Sequence, residues 1–194
     1  MKQVVLIGDS IRIGYEPIVR EHLGGLAEVW GPDVNGGNSV NVLTHLHAWA
    51  RARRPDVVHV NAGLHDLRTD HYGGRETIVP LAHYRDNVEH ILRYLREQTD
   101  ATVIWATSTP VNDAHAHESH ANHDDFDRYD ADVRAFNAAA VEVARSVGVP
   151  VNDLYAVIAD GDQAAWQMPD GVHFTPDGYA ALARAVADFI RPYL

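Results

Sequence analysis

The sequence contains no cysteine. Disulfide bonds, thiolate metal sites and a cysteine nucleophile are therefore excluded. Basic residues are also few, since 16 Lys and Arg stand against 27 Asp and Glu and give a formal net charge of −11 with His neutral. Nucleic acids and anionic membrane surfaces are bound by basic faces, so neither is expected as a partner.

The chain is also short of long apolar runs at its start. The first such run covers only Val4 to Ile7. It is too short for the apolar region of a signal peptide or for a membrane span, so we expect a cytoplasmic protein with no membrane partner. The length of 194 residues and the hydrophobic content of 46% suit one domain, 1–194, with a sizeable core.

Apolar, β-rich runs alternate with helical patterns along the chain. The predicted strands are Val4–Ile7, Ala27–Trp30, Val57–Asn61, Thr102–Ala106 and a short one near Pro150–Val151. Runs such as "VVHVN" and "TVIWA" are typical of strands that are buried on both faces of a parallel sheet. Helices are predicted from Ser39, His83, Asp130 and Thr175. The alternation predicts an α/β fold, a three-layer α/β/α sandwich around a five-stranded, mostly parallel sheet.

Polar residues and glycines follow the predicted strands, where ligands of open α/β sheets bind. Gly8-Asp9-Ser10 follows the first strand, and a block from Asn35 to Ser39 follows the second. The third strand is followed by Gly63-Leu64-His65-Asp66, and "PDGVH" precedes the last helix. Together these blocks contain serine, histidine and aspartate, the three residue types of a nucleophilic hydrolase.

Ser10, His173 and Asp170 are the candidate catalytic residues. A serine hydroxyl is a weak nucleophile and needs a nearby imidazole to take its proton, and the imidazole needs a carboxylate to fix its tautomer. Asp170 and His173 are three positions apart with Gly171 between them, so one turn can present both on one side. The oxyanion that forms needs preorganised donors, which the backbone N–H groups of Ser10 and Gly37 are able to supply.

The four blocks, in this order and spacing, resemble the SGNH/GDSL hydrolase family. The resemblance runs from "GDS" at Gly8 through the glycine block and "GLHD" to "DxxH" ending at His173. It implies the flavodoxin-like SGNH hydrolase fold and a serine esterase or acylhydrolase that needs no cofactor. The implied substrate is a small acyl ester, with an acetylated sugar as a candidate.

The resemblance also assigns roles residue by residue. Ser10 is the nucleophile, His173 the general base and then acid, and Asp170 the group that orients His173. The backbone N–H groups of Ser10 and Gly37 line the oxyanion hole. His65 stands where the family usually has asparagine, and a neutral imidazole is able to donate one N–H there.

Other interpretations of these residues are open. Ser10 alone is simply a helix N-cap, but the nucleophile is favoured once Asp170 and His173 are considered. A structural role is an alternative for His65. If its presence in place of asparagine has abolished turnover, the chain would be a non-catalytic ester or carbohydrate-binding module. A lysophospholipase or thioesterase is a further alternative. Arg12, where the family commonly has threonine, is expected to affect the entrance and no catalytic role.

The segment 112–129 is rich in histidine and acidic residues. Its histidines are His115, His117, His120 and His123. They are able in principle to bind zinc or nickel, which would suggest a metal-dependent hydrolase. The spacing is loose, so we favour a solvated loop that covers the site as a lid, and we predict no metal.

Overall fold

The computed structural model describes residues 1–70, 75–121 and 126–194. Within these residues lie seven strands: β1 (Lys2–Ile7), β2 (Ala27–Trp30), β3 (Val57–Val60), β4 (Thr69–Asp70), β5 (Thr102–Ala106), β6 (Phe126–Asp127) and β7 (Val151–Asn152). Five of them form the main sheet in the order β2-β1-β3-β5-β7, with every neighbouring pair parallel. β4 and β6 pair with each other in antiparallel fashion.

The central strands β1 and β3 are covered on both faces. Val4 to Ile7 and all four residues of β3 are at most 2% exposed, which suits their β-branched side chains. The one polar residue of β3, His59, has its Nε2 3.2 Å from Nδ2 of Asn152 in β7. Burial lowers the pKa of His59 to about 3, so this side chain stays neutral in the core.

Helices cover the sheet on both sides. In chain order, the described residues contain α1 (Ser10–His22), α2 (Ser39–Trp49), α3 (Leu81–Gln98), α4 (Asp113–His120), α5 (Asp130–Ser146), α6 (Leu154–Ala159), α7 (Gln163–Trp166) and α8 (Pro176–Ile190). α1 packs against α8, and α3 packs against both α2 and α5. None of these described helices has both the length and the apolar character that a membrane crossing requires.

The predicted α/β/α sandwich with a five-stranded parallel sheet is confirmed. β2 and β5 match their predicted ranges, while β1 begins at Lys2, two residues early. α2 and α5 begin at the predicted residues, and Thr175 is the N-cap of α8 with Pro176 in its first turn. α3 begins at Leu81 rather than His83, directly after Pro80.

The prediction of a solvated loop over 112–129 is wrong for the described part of that segment. Asn112 caps α4 by accepting the N–H of His115, and β6 pairs with β4. His120 and Arg128 are buried, at 5% exposure each. A short sheet and a capped helix satisfy the backbone here, which a loose loop would leave to water. His123 lies outside the described residues.

Candidate active site

Ser10 is the first residue of α1, at the carboxyl end of β1. The N-cap is Asp9, whose Oδ1 accepts the N–H of Ile11 at 3.0 Å. The interpretation of Ser10 as the cap is therefore wrong, because the neighbouring carboxylate takes that position. The hydroxyl of Ser10 is left available for another partner.

That partner is His173. Ser10 Oγ lies 2.9 Å from His173 Nε2, and His173 Nδ1 lies 2.6 Å from Asp170 Oδ2. Both contacts are within hydrogen-bond range, so the three side chains form an unbroken chain. The turn from Asp170 to His173 is tight: Gly171 adopts a positive φ of 71°, and the second carboxylate oxygen of Asp170 accepts the N–H groups of Val172 and His173.

Asp170 fixes the tautomer of the histidine. Burial acts to raise the pKa of Asp170, but the hydrogen bonds from Val172 and from the backbone and ring of His173 outweigh it and leave that pKa below its ordinary value. The carboxylate is thus ionised and only accepts hydrogen bonds. His173 therefore donates from Nδ1 to Asp170, which leaves Nε2 to accept the proton of Ser10.

His65 lies beside this chain, in the loop after β3. It lines the same cleft as Ser10 and His173, and among the described residues its ring has no hydrogen-bond partner. Burial, with smaller effects of nearby Arg68 and Arg128, lowers the pKa of His65 to about 3. The ring is neutral at ordinary pH and carries one N–H that it is able to donate.

Gly37 lies in the loop between β2 and α2, with a positive φ of 63°. Its N–H donates to the side-chain oxygen of Asn35 at 2.8 Å. Asn35, and not Gly37, contributes to the wall of the cleft. To donate to an oxyanion, the Gly37 N–H must therefore leave the side chain of Asn35. Asn38 caps α2, since its side chain accepts the N–H of Asn41.

Asp66 joins the two loops that carry these donors. Both of its carboxylate oxygens lie 3.0 Å from the N–H of Ser39 at the start of α2, and one also accepts the Ser39 hydroxyl. Asn87 donates to the same hydroxyl at 2.9 Å. Burial raises the pKa of Asp66 to about 6, against the hydrogen bonds from Ser39. Asp66 therefore has a structural role.

The candidate catalytic residues Ser10, Asp170 and His173 line a cleft of about 430 Å³. A larger cleft, of about 750 Å³, lies near Lys2 and Asp56 at the opposite ends of the strands and contains none of the predicted residues. Size alone would thus point to the wrong end of the sheet. Five residues of this cleft wall were not among the predicted site residues: Asn35, Arg68, Ser119, Phe126 and Arg128. Asn35 directly precedes the glycine pair at a strand end, and Ser119, Phe126 and Arg128 lie in the segment that was expected to cover the site, so only Arg68 had no recognisable signal.

Arg128 connects the segment after β6 to the His65 loop. Its Nε donates to the carbonyl of Leu64 at 2.7 Å. The guanidinium carbons of Arg128 and Arg68 lie 4.8 and 4.1 Å from the ring centroid of Phe126. The positive charges of Arg68 and Arg128 add to burial, the larger cause, in lowering the pKa of His65 and favouring its neutral form.

Two of the three histidines of α4 pair with one acidic residue. Asp127 Oδ2 lies 2.6 Å from His117 Nδ1, and Asp127 Oδ1 lies 3.5 Å from His120 Nδ1. Over residues 1–70, 75–121 and 126–194, no group of three or more potential ligands has a geometry that would hold a metal ion.

Comparison with known families gives the class of the protein. The model of the GDSL-like Lipase/Acylhydrolase family matches residues 6–181. The chain belongs to this family and is an enzyme that hydrolyses ester bonds. The resemblance found in the sequence blocks is thereby confirmed.

Individual relatives agree with this assignment. The chain is 26% identical over 203 residues to "GDSL esterase/lipase CPRD49" of Arabidopsis thaliana, covering 97% of this chain and 78% of the relative. A lipase/acylhydrolase from Enterococcus faecalis is similar in structure, with a TM-score of 0.81 at 21% identity over 99% of this chain and 96% of that one. The acetyl xylan esterase AlAXEase has a TM-score of 0.75 at 18% identity, over 97% and 99% of the two chains. At these identities the two structures show the shared fold.

Proposed function

We propose that the chain is a serine esterase that cleaves small acyl esters through Ser10, His173 and Asp170. The observation that carries the proposal is the unbroken contact from Ser10 Oγ to His173 Nε2 (2.9 Å) and from His173 Nδ1 to Asp170 (2.6 Å). The three residues come from two ends of the chain, and all line one cleft. An N-cap or a turn residue would not need this alignment.

In the first half-reaction, Ser10 Oγ attacks the ester carbonyl carbon while its proton passes to Nε2 of His173. The tetrahedral intermediate collapses as His173 returns this proton to the leaving alcohol oxygen, which leaves an acyl group on Ser10. In the second half-reaction, water attacks the acyl carbon, with His173 again taking a proton and then returning it to Ser10. Asp170 stabilises the charged imidazole in both halves.

The oxyanion would be stabilised by the backbone N–H groups of Ser10 and Gly37 and by the ring N–H of His65. The lowered pKa of His65 supports this role, because the ring donates as a neutral dipole throughout the working pH range. The Gly37 N–H has to leave Asn35, to which it is bonded at 2.8 Å. Oxyanion contacts of this kind often form fully only when substrate is bound.

We propose an O-acetylated carbohydrate as the substrate class. The open cleft beside Ser10 presents charged and polar side chains such as Arg68, Arg128 and Asn35 rather than a continuous apolar wall, which suits a hydrophilic alcohol and a short acyl group. The likeness to an acetyl xylan esterase supports the same choice. The strongly negative net charge of the chain argues against a nucleic-acid substrate.

An activity-based probe tests the nucleophile. An alkyl phosphonate should label the wild type at Ser10, and Ser10→Ala should lose both labelling and esterase activity. Ser146→Ala, at the far end of α5, is the matched control and should behave as the wild type. Labelling or turnover that survives in Ser10→Ala would refute the proposed mechanism, and an unlabelled, inactive wild type would favour the binding-module alternative.

A substrate panel tests the acyl and alcohol preference. The panel compares 4-nitrophenyl acetate and decanoate, acetylated xylobiose, a lysophospholipid and an acyl thioester. We expect the highest kcat/KM for the acetyl esters. A preference for decanoate, the lysophospholipid or the thioester would contradict the acetyl-carbohydrate proposal and favour the lysophospholipase or thioesterase alternative.

A further inference from the structure

Arg12 is a charged side chain in the protein interior. It lies in α1, two residues after Ser10, and is only 3% exposed. The expectation that Arg12 affects the entrance of the cleft is wrong, because its side chain turns inward, away from the cleft wall. Its Nη1 lies 2.6 Å from Oε2 of Glu16, and Glu16 also pairs with Arg20.

The other end of the guanidinium group is bonded to the loop between β2 and α2. Arg12 Nη2 donates to the backbone carbonyls of Pro32, at 2.7 Å, and Val34, at 2.9 Å. Val34 directly precedes Asn35, whose side chain holds the N–H of Gly37. One side chain therefore connects the helix that begins at the nucleophile to the loop that carries the second predicted oxyanion donor.

A second contact fixes the same loop two residues further on. The N–H of Gly36 donates to the carbonyl of Gly8 at 2.9 Å, and a Cβ at Gly36 would lie 2.6 Å from that oxygen. Asn41 donates from its side chain to the carbonyl of Gly36 at 2.8 Å. The loop is therefore bonded at Val34 to the helix that begins at Ser10, and at Gly36 to the turn that precedes it.

The sequence leaves room for the ion pair. A Cβ at Gly31 would lie 2.2 Å from Oε2 of Glu16 and 2.9 Å from Nη1 of Arg12, and a Cβ at Gly8 would lie 2.8 Å from the Cβ of Arg12. Buried ion pairs are costly to desolvate and rarely stabilise a fold more than apolar residues would. Nε of Arg12 also has no partner in the described part of the chain. Fold stability alone does not account for this arrangement.

We propose that Arg12 is a positioning residue for acyl transfer. It sets the distance between Ser10 and the loop of residues 31–38, and thereby the contact that the Gly37 N–H makes with the oxyanion. The inference rests on the proposed function, since it needs Ser10 as nucleophile and Gly37 as donor. Because the oxyanion exists only after attack, Arg12 affects the transition state and not the binding of the ester.

Arg12→Lys tests this role. Lysine keeps a positive charge beside Glu16, but one amine does not reproduce the fork that reaches Glu16 and both carbonyls. We expect kcat on 4-nitrophenyl acetate to fall about 10- to 100-fold, since small displacements of catalytic groups cost this much. KM should change by less than about twofold. Phenylboronic acid, whose tetrahedral adduct on serine mimics the intermediate, should bind more weakly by a factor similar to the loss in kcat.

Arg20→Lys is the matched control. It makes the same replacement against the same partner, Glu16, but within the described residues Arg20 has no hydrogen bond to the loop. The kcat and the boronate affinity of Arg20→Lys should therefore equal those of the wild type. Should Arg12→Lys fail to fold by circular dichroism, the double variant Arg12→Gln with Glu16→Gln buries no unpaired charge and carries the same expectation.

The outcomes separate the two proposals. Unchanged kcat and boronate affinity in Arg12→Lys, with Ser10→Ala inactive, would overturn the role of Arg12 and leave the esterase proposal standing. A raised KM with unchanged kcat would also overturn it, since it would show contact with the substrate. Full activity of Ser10→Ala would overturn the esterase mechanism itself.

Discussion

Replacing His65 by alanine tests whether a histidine serves in the oxyanion hole. The ring lies on the cleft wall with Ser10 and His173 and makes no hydrogen bond to the described residues. No described residue therefore depends on its N–H, so we expect a loss of rate in His65→Ala to reflect lost transition-state stabilisation. His65→Asn restores the amide that the family usually places there, and we expect it to keep most of the activity because an amide also donates N–H groups.

The size of the effect follows from the state of the ring. Loss of one oxyanion donor typically lowers kcat about 10²- to 10³-fold, which is about 2.7–4 kcal/mol. Because the pKa of His65 is lowered to about 3, the donor is the same neutral imidazole from pH 5 to pH 8. The ratio of wild-type kcat to His65→Ala kcat should therefore stay constant over that range.

The assay is the steady-state hydrolysis of 4-nitrophenyl acetate by the wild type, His65→Ala and His65→Asn, with Ser10→Ala as the background. KM should change little, since the contact forms in the transition state. An unchanged kcat in His65→Ala would refute the oxyanion role. A ratio that falls steadily between pH 8 and pH 5 would refute the neutral donor, because it would show that the ring titrates there.

Three further expectations follow from the described contacts. Asp170→Asn should lower kcat about 10⁴-fold with little change in KM, measured on the same ester, because the tautomer of His173 is no longer fixed; a loss below tenfold would contradict that role. The pKa of His59 is about 3 in the folded chain and near 6.5 in the unfolded chain. The stability that its neutral form gives is therefore complete above pH 6.5 and is lost as the pH falls toward 3. Measured by urea unfolding, the free energy of unfolding of the wild type should thus fall by about 2 kcal/mol more than that of His59→Gln between pH 7 and pH 5. The raised pKa of Asp66 acts in the opposite direction, but Asp66 is present in both chains and its effect cancels. Treatment with EDTA should leave esterase activity unchanged, and a loss that zinc restores would favour the metal-dependent alternative.

The strands and the ends of the strands were predictable because they depend on local pattern. Unbroken apolar runs identify β1, β3 and β5, and the carboxyl-end rule then directs attention to the residues that follow them. The Asp170–His173 turn was predictable for a similar reason, since three positions around Gly171 suffice to place both side chains together. The contact of His173 with Ser10 required only that the last loop reach the same edge of the sheet.

Contacts between distant segments were not predictable. Arginine is usually exposed, so the sequence gives no reason to bury Arg12 or Arg128, and only the packed structure shows the carbonyls that they bind. The bond between Gly37 and Asn35 depends on a side-chain rotamer in a loop. Segment 112–129 was misread because histidine and aspartate are common in loops, while the capping by Asn112 and the pairing of β6 with β4 depend on partners elsewhere.

The distance along the chain between Ser10 and His173, 163 positions, has a consequence for synthesis. The proposed nucleophile and one half of the sheet leave the ribosome early, whereas the base proposed to activate it, His173, lies in the loop before α8 and emerges near the end. Until that loop docks, the hydroxyl of Ser10 has no proton acceptor and is chemically an ordinary alcohol. In the nascent chain Ser10 is thus unreactive. Ester cleavage by ribosome-bound chains of increasing length should begin only after residue 173 has left the exit tunnel.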